Sequence, residues 1–433
     1  MAPLPLTDSY APRVVDAQLA EFIAQLPAIA IEGAKAVGKT ATASRHAKTV
    51  YALDDPQQHE VAAADEKRLL TGERPVLIDE WQRLPASWDL VRRAADAPDA
   101  EAGSFLLTGS ALPPRGATTH SGAARIVSVR MRPMTLAERG VGTPTVSVAE
   151  LLRGDRPSLT GETPVRLEDY VREILASGFP GLRGLSGRPL RAQLDGYLQR
   201  IVDHDFEQMG HRVRNPAALR RWMRAYAAAS SLTSSYETIR DAATGGHGEK
   251  PARATTQPFR DILERLWIVD PIEAWLPTRN HLRRLAAAPK HQLVDPALAA
   301  RLVGIGAPAL LKGVNPAPAI PRDGTFLGSL FESLVALGVR VFAQAVEADV
   351  KHLRTASGER EIDLIVERNG GNGVLAIEVK LASVPGDSAF DHLHWLRDRI
   401  GDELIDAIVI TTGTSAYRRR DGIGVVPAAL LGP

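Results

Sequence analysis

Gly33-Ala34-Lys35-Ala36-Val37-Gly38-Lys39-Thr40 reads G-x-x-x-x-G-K-[ST] without a mismatch. The apolar run Pro27-Ala28-Ile29-Ala30-Ile31 precedes it, and an alanine-rich, helix-prone stretch follows. A strand, a glycine-rich turn and a helix are the context that a phosphate-binding loop needs. The glycines let backbone N–H groups curl around phosphate oxygens, and the helix N-terminus adds partial positive charge at the same spot. The pattern predicts that residues 33–40 cradle the phosphates of ATP. Lys39 then reaches the β- and γ-phosphates, and the Thr40 hydroxyl ligates Mg²⁺.

A second element fits the first. Pro75-Val76-Leu77-Ile78-Asp79-Glu80 is an apolar run ending in an acidic pair, as in a strand buried on both faces of a parallel sheet. An aspartate at that end supports Mg²⁺ through water, the role of a Walker-B aspartate. Glu80 is placed to polarise an attacking water. A third strand, Ser104-Phe105-Leu106-Leu107-Thr108-Gly109-Ser110, is predicted between the other two. There it presents Thr108 or Ser110 to the γ-phosphate; a plain turn after a core strand is the equal alternative.

The chain has 433 residues, enough for two or three domains. It has no cysteine, which excludes disulfides, zinc–thiolate sites and a cysteine nucleophile. The apolar stretches read as too short for a membrane span, and Met1 to Arg13 lacks an apolar signal core. A cytoplasmic location is expected, where ATP and Mg²⁺ are available. The net charge of +1 is unevenly spread: residues 143–315 carry 24 Lys/Arg against 18 Asp/Glu, while both ends are mildly acidic. A basic middle suits a polyanionic partner, DNA above all; a solvated arginine-rich surface is the competing reading.

Three segments follow from the periodicity. Residues 1–142 alternate strands and helices, the pattern of an α/β nucleotide-binding module with a parallel sheet. Arg125, before its fifth strand, is positioned as an arginine finger in cis or in trans, or as a surface residue at a strand start. A role in trans requires a homo-oligomer. Residues 143–315 read as mostly helical, with helices near 166–177, 190–208, 217–229, 235–243 and 257–266. The acidic residues around His204, Asp203 and Asp205, read as surface. Three helices followed by Trp267-Ile268-Val269-Asp270 suggest a winged helix, with Arg253, Arg260 and Arg265 facing DNA, or a structural helical linker. Residues 316–433 read as α/β again, with a helix near 326–338 and strands near 339–347, 349–355, 361–367 and 374–382. If the last two pair as a hairpin, Asp363 lies beside Glu378, and Lys380 shares the face of Glu378. With Glu332, these carboxylates are candidate ligands for Mg²⁺ or Mn²⁺. Alternating charge on an exposed sheet face explains the pattern equally well.

The order of these pieces resembles the bacterial and archaeal AAA-type ATPases that carry a DUF4143 region, over nearly the whole chain. Ile78-Asp79-Glu80-Trp81-Gln82 is similar to that family's strand end, and Leu107 to Ser110 to its L-T-G-S element. Pro133-Met134-Thr135-Leu136-Ala137-Glu138, Ser177-Gly178-Phe179-Pro180 and Pro289-Lys290-His291-Gln292-Leu293-Val294-Asp295-Pro296 are similar to its later turns. The usual proline and arginine of its phosphate loop are Ala34 and Lys35 here, and Ala124 stands where a glycine usually precedes the arginine. The resemblance implies a C-terminal region similar to PD-(D/E)xK nucleases, with Glu332, Asp363, Glu378 and Lys380 as its possible site.

The expectation is therefore a Mg²⁺-dependent ATPase attached to a DNA-facing region. An ATP-gated metal-dependent nuclease and a non-catalytic, nucleotide-switched binding module are the two rivals.

Overall fold

The computed structural model describes residues 10–110, 122–244, 250–277, 287–312, 324–355, 358–370 and 373–433. The apolar runs up to residue 130 build a five-stranded parallel sheet from β1 (Ala28–Glu32), β2 (Thr49–Ala52), β3 (Val76–Asp79), β4 (Phe105–Gly109) and β5 (Val127–Arg130). Its order is β2-β3-β4-β1-β5, so β4 lies between the two strands that carry the phosphate loop and the acidic pair. Helices α1 (Val15–Ile23), α2 (Lys39–His46), α3 (Pro56–Ala64) and α4 (Ala86–Ala95) connect and cover it. Helix α3 begins where expected from chemistry: Asp55 accepts from the Gln57 and Gln58 amides, and Pro56 occupies the first turn. Because β1, β3 and β4 are covered on both faces, their side chains divide between two cores. Ile29, Ile31, Leu77 and Leu106 face one cluster; Ala28, Ala30, Val76, Ile78, Phe105 and Leu107 face the other, with Trp81, Trp88 and Val91.

The middle of the chain is helical. It contains β6 (Val146–Ser147), α5 (Val148–Arg153), α6 (Leu167–Ala176) and α7 (Gly187–Arg200). A π-type stretch, Ile201–Asp205, continues α7 into α8 (Phe206–Gln208). Helices α9 (Pro216–Ala228), α10 (Tyr236–Thr244), α11 (Arg253–Arg265), α12 (Pro296–Val303) and α13 (Ala307–Lys312) follow. After α11 the described residues show two antiparallel bridges, Val269 with Leu293 and Ile272 with Lys290. Arg260 of the expected recognition helix is paired with Asp261 and lies over the Tyr236 ring. A two-residue strand, β13 (Leu431–Gly432), pairs in parallel with β6.

The last third is a mixed six-stranded sheet, β11-β12-β10-β9-β8-β7. Its strands are β7 (Ala348–Arg354), β8 (Glu361–Arg368), β9 (Val374–Val379), β10 (Leu404–Thr411), β11 (Tyr417–Arg418) and β12 (Gly424–Pro427). One face packs on α14 (Gly324–Gln344), the other on α15 (Asp391–Ile400) through Phe390, Leu393 and Leu396. Two expectations are corrected here. The strand expected at 339–347 is the end of α14: Leu327, Leu330, Phe331, Leu334, Val335, Val339, Phe342 and Ala343 repeat at helical spacing and are buried. The β-branched residues near its end obscured that period. The second correction concerns length: the apolar stretches read as too short for a membrane span, yet this helix contains one, Phe326–Gln344, long and apolar enough to cross a membrane, with 72% of it buried in the protein. The one apolar cluster that receives α14 extends from α1 and β1 through the middle helices to β8, β9 and β10.

One buried carboxylate ties all three parts together. Asp270 accepts from Arg130 at 2.9 Å and Arg132 at 3.0 Å, both at the β5 end of the first sheet, and from Arg340 of α14 at 2.6 Å. The Arg340 guanidinium also reaches the Asp270 carbonyl, 2.7 Å away.

Candidate functional site

The phosphate loop joins β1 to α2 at the carboxyl edge of the first sheet, where ligands bind in open α/β folds. Its turn needs glycine at the start: Gly33 has φ +153°, and a Cβ there would lie 2.1 Å from the Met131 carbonyl oxygen. Ala36 (φ 67°) and Gly38 (φ 102°) are left-handed, so successive N–H groups form the concave nest that suits an anion. Lys39 is buried, and its ammonium donates to the Gly33 and Ala34 carbonyls, each at 2.9 Å. Burial pulls that ammonium down to about 8, against the attraction of Glu80 and Asp79.

Thr40, Asp79, Thr108, Glu80 and Ser110 form one connected group. The Thr40 hydroxyl donates to Asp79 Oδ1 at 2.8 Å, and the Thr108 hydroxyl donates to the same oxygen. Burial pushes the Asp79 carboxyl up, and the two hydroxyls oppose it. Glu80 sits in the left-handed region at φ 55°, an uncommon and strained conformation for a non-glycine residue. The Ser110 hydroxyl donates to Glu80 Oε1 at 2.7 Å, and the Gln82 amide donates to Oε2. Thr108 and Ser110 thus hydrogen-bond the two carboxylates. The reason is topological: β4 neighbours β3, so Thr108 faces Asp79. Thr40 and Asp79 offer the hard oxygen donors that Mg²⁺ takes when phosphates complete its shell.

The helical middle closes on this loop, which spacing alone did not disclose. Lys35 donates to Asp205 at 2.7 Å and to Gln208 at 3.4 Å, and the Tyr197 hydroxyl donates to the Lys35 carbonyl at 3.2 Å. Asp205 is therefore buried at the loop, not a surface residue; the π-type stretch turns it inward. Pro180 lies against Gly38, where an added Cβ would be 3.5 Å away. Its turn is held by Asp295, which accepts from Ser177 Oγ at 3.0 Å and Gly178 N at 2.7 Å while capping α12 through Ala297 N at 2.8 Å. From the other side, Arg13 donates to the Val37 carbonyl at 2.8 Å and pairs with Glu138 at 3.0 Å. A cavity of about 520 Å³ opens beside the loop, lined by Tyr10, Arg13, Gly38, Thr42, Pro180 and Arg183.

Arg125 is half-exposed, and its guanidinium is engaged by Asp96 at the end of α4 and by the Ala124 carbonyl. The structure does not join it to the phosphate loop of its own chain.

In the C-terminal sheet, β8 and β9 are antiparallel neighbours, with Leu364 opposite Ile377. That register brings Asp363 beside Glu378, and Asp363 Oδ2 accepts from the Val379 amide at 2.8 Å. Glu332 joins them from α14. Yet Lys290, fully buried, enters the same cluster at 2.8 Å from Glu332 and 3.2 Å from Asp363. Lys380 donates to Glu378 at 2.6 Å. Burial and Asp363 push the Glu332 carboxyl up to about 8, against the pull of Lys290. Burial likewise raises Glu378, while Lys290 and Lys380 outweigh burial and hold Asp363 low. Among the described residues no group of three His, Asp or Glu side chains has the geometry of a metal centre. Two ammonium groups, those of Lys290 and Lys380, thus stand beside the carboxylates read as ligands of Mg²⁺ or Mn²⁺.

Comparison with known proteins agrees with the first half of this description. Residues 25–139 match the family model of the AAA domain. Residues 167–309 and 327–431 match two domains of unknown function, DUF8612 and DUF4143. One uncharacterized protein of Mycobacterium bovis and one of Mycobacterium tuberculosis are each 25% identical over 418 residues, 95% of this chain and 82% of theirs. Among solved structures, a Walker-type ATPase of Pyrococcus abyssi aligns with a TM-score of 0.40 at 16% identity, over 69% of this chain and 99% of its own. The ORC2 protein of Aeropyrum pernix, in ADPNP–ADP complexes, aligns with a TM-score of 0.30 at 14% identity, over 69% of this chain and 95% of its own. The matched family models thus place an AAA domain, a DUF8612 domain and a DUF4143 domain on one chain.

Proposed function

We propose that this chain binds ATP with Mg²⁺ at residues 33–40, hydrolyses it, and passes the change to its helical middle. The observation that carries this reading is the connected group of Thr40, Asp79, Thr108, Glu80 and Ser110 at one sheet edge, beside a buried Lys39. Lys39 exchanges its two loop carbonyls for β- and γ-phosphate oxygens. Thr40 and Asp79 hold Mg²⁺, which neutralises charge on the phosphates. Glu80, oriented by Ser110 and Gln82, accepts a hydrogen bond from the attacking water and aligns it. The cavity beside Gly38 takes the base and ribose. Because Asp205, Tyr197 and Pro180 touch the same loop, any shift of the loop on phosphate binding is felt by α6, α7 and α8. Arg125 is free to serve a second copy's site only if Asp96 releases it.

Glu80→Gln tests the water-orienting role. The amide keeps the size but loses the charge, so ATP binding should persist while turnover falls by about 10²- to 10⁴-fold. Turnover equal to wild type would remove Glu80 from the mechanism.

DNA is the partner proposed for the basic middle. Its support is the excess of six positive charges over residues 143–315, with Arg188, Arg191, Arg200, Arg212 and Arg214 exposed. Binding should weaken steeply with salt, with a log–log slope of roughly −0.9 per phosphate contacted. Affinity that ignores salt between low and physiological concentrations would count against this surface.

A further inference from the structure

We infer that Lys290 is the resident cation of the C-terminal carboxylate cluster and that this cluster therefore takes no divalent metal. A nuclease reading puts Mg²⁺ or Mn²⁺ among Glu332, Asp363 and Glu378. The ammonium of Lys290 already stands there. Its Nζ lies 2.8 Å from Glu332 Oε1, 3.2 Å from Asp363 Oδ1 and 3.4 Å from Glu361 Oε1. Its hydrogen bonds go to Glu332 Oε1, Asp363 Oδ1 and the Asp363 carbonyl, which engages the full donor capacity of an ammonium, and Glu361 is an ion-pair neighbour.

The formal charges come within one of balance without a metal. Four carboxylates, Glu332, Glu361, Asp363 and Glu378, meet Lys290, Lys380 and Arg354, with Arg354 at 3.2 Å from Glu361. His392, 3.6 Å from Glu378, lies at the edge. A dication bridging Glu332 and Asp363 would have to displace Lys290, which already engages an oxygen of each, because a divalent ion needs those oxygens much closer, at about 2.0–2.6 Å. Glu378 is held by Lys380 at 2.6 Å. Lys290 is not easily displaced. Its amide and carbonyl both bond to Ile272, at 2.8 and 2.9 Å, so its backbone is clamped as well as its side chain.

Lys290 does not come from the C-terminal sheet. It belongs to the segment that ends in Asp295, which holds the turn against the phosphate loop. The cluster is thus the socket by which the C-terminal sheet grips the nucleotide-binding half of the chain.

The test is Mn²⁺ binding to the full chain without nucleotide, followed by electron paramagnetic resonance. Wild type, Asp363→Asn and Glu378→Gln should bind Mn²⁺ alike. Lys290→Ala should gain one site, tighter by on the order of tenfold or more once a like charge at about 3 Å is gone. The double variant Lys290→Ala/Asp363→Asn should lose it again. A wild-type Mn²⁺ site that disappears in Asp363→Asn or Glu378→Gln would overturn the inference. So would a folded Lys290→Ala, checked by near-UV circular dichroism, that gains none. Lys290→Ala/Glu332→Gln removes the ammonium together with its nearest carboxyl partner and replaces the single variant should that one fail to fold. If neither folds, the wild-type comparison with Asp363→Asn and Glu378→Gln still decides.

Discussion

Lys39→Ala is expected to abolish ATP turnover and leave the protein folded. Removing one preorganised cationic donor from a developing phosphate charge costs about 10²- to 10³-fold in rate, roughly 3–4 kcal/mol, and ground-state binding to the β- and γ-phosphates is lost as well. The fold should survive because Lys39 is a burden to it. The side chain is 4% exposed, and burial already pulls its ammonium down to about 8. Its two partners, the Gly33 and Ala34 carbonyls, belong to a loop shaped by Gly33, Ala36 and Gly38. Turnover measured beside circular dichroism separates the two effects. Hydrolysis near wild-type rates in a folded Lys39→Ala would sink the assignment of the site.

Asp270→Asn is expected to destabilise the chain more than any change at the nucleotide site. Asp270 is the shared acceptor of Arg130, Arg132 and Arg340. Without its charge, three largely buried guanidinium groups face one another around a neutral amide. Breaking a buried ion pair by removing one partner costs about 3–5 kcal/mol, which urea unfolding would register. The pH dependence has a definite sign. Burial alone would push the Asp270 carboxyl up, but the three arginines outweigh it and hold it well below its ordinary value of 3.8. A depressed folded value means that the stabilisation is complete above that ordinary value and is lost as the pH falls beneath it. Wild type should therefore lose stability below about pH 4 more steeply than Asp270→Asn does. Equal acid sensitivity in the two proteins would show that Asp270 does not hold the three segments together.

The parts legible in the sequence were those written locally. The phosphate loop is a contiguous octapeptide whose glycines serve backbone conformations, so its pattern needs no tertiary information. Strands β1, β3 and β4 were legible because strands buried on both faces are continuous apolar runs. Asp363 beside Glu378 was legible because a hairpin register follows from alternation once two strands are adjacent. The misread parts depended on distant partners. Asp205 has charged neighbours and reads as surface, yet a π-type turn directs it to Lys35, 170 residues away. Thr108 ends a strand, and only the insertion of β4 beside β3 discloses that its hydroxyl meets Asp79. The end of α14 looked like a strand because valines and a phenylalanine suit either period until the packing face is known.

By itself the sequence determined a glycine-bearing turn between a strand and a helix, an acidic strand end and a parallel sheet, because glycine dihedrals, strand periodicity and helix start signals act over a few residues. Only the tertiary structure decided what surrounds them. It set Pro180 and Asp205 against the loop, gathered Arg130, Arg132 and Arg340 on Asp270, and put Lys290 among the C-terminal carboxylates. Those are buried charge contacts between segments far apart in the chain. Their partners are selected by the shape of the packed core, and spacing along the sequence carries no record of that shape.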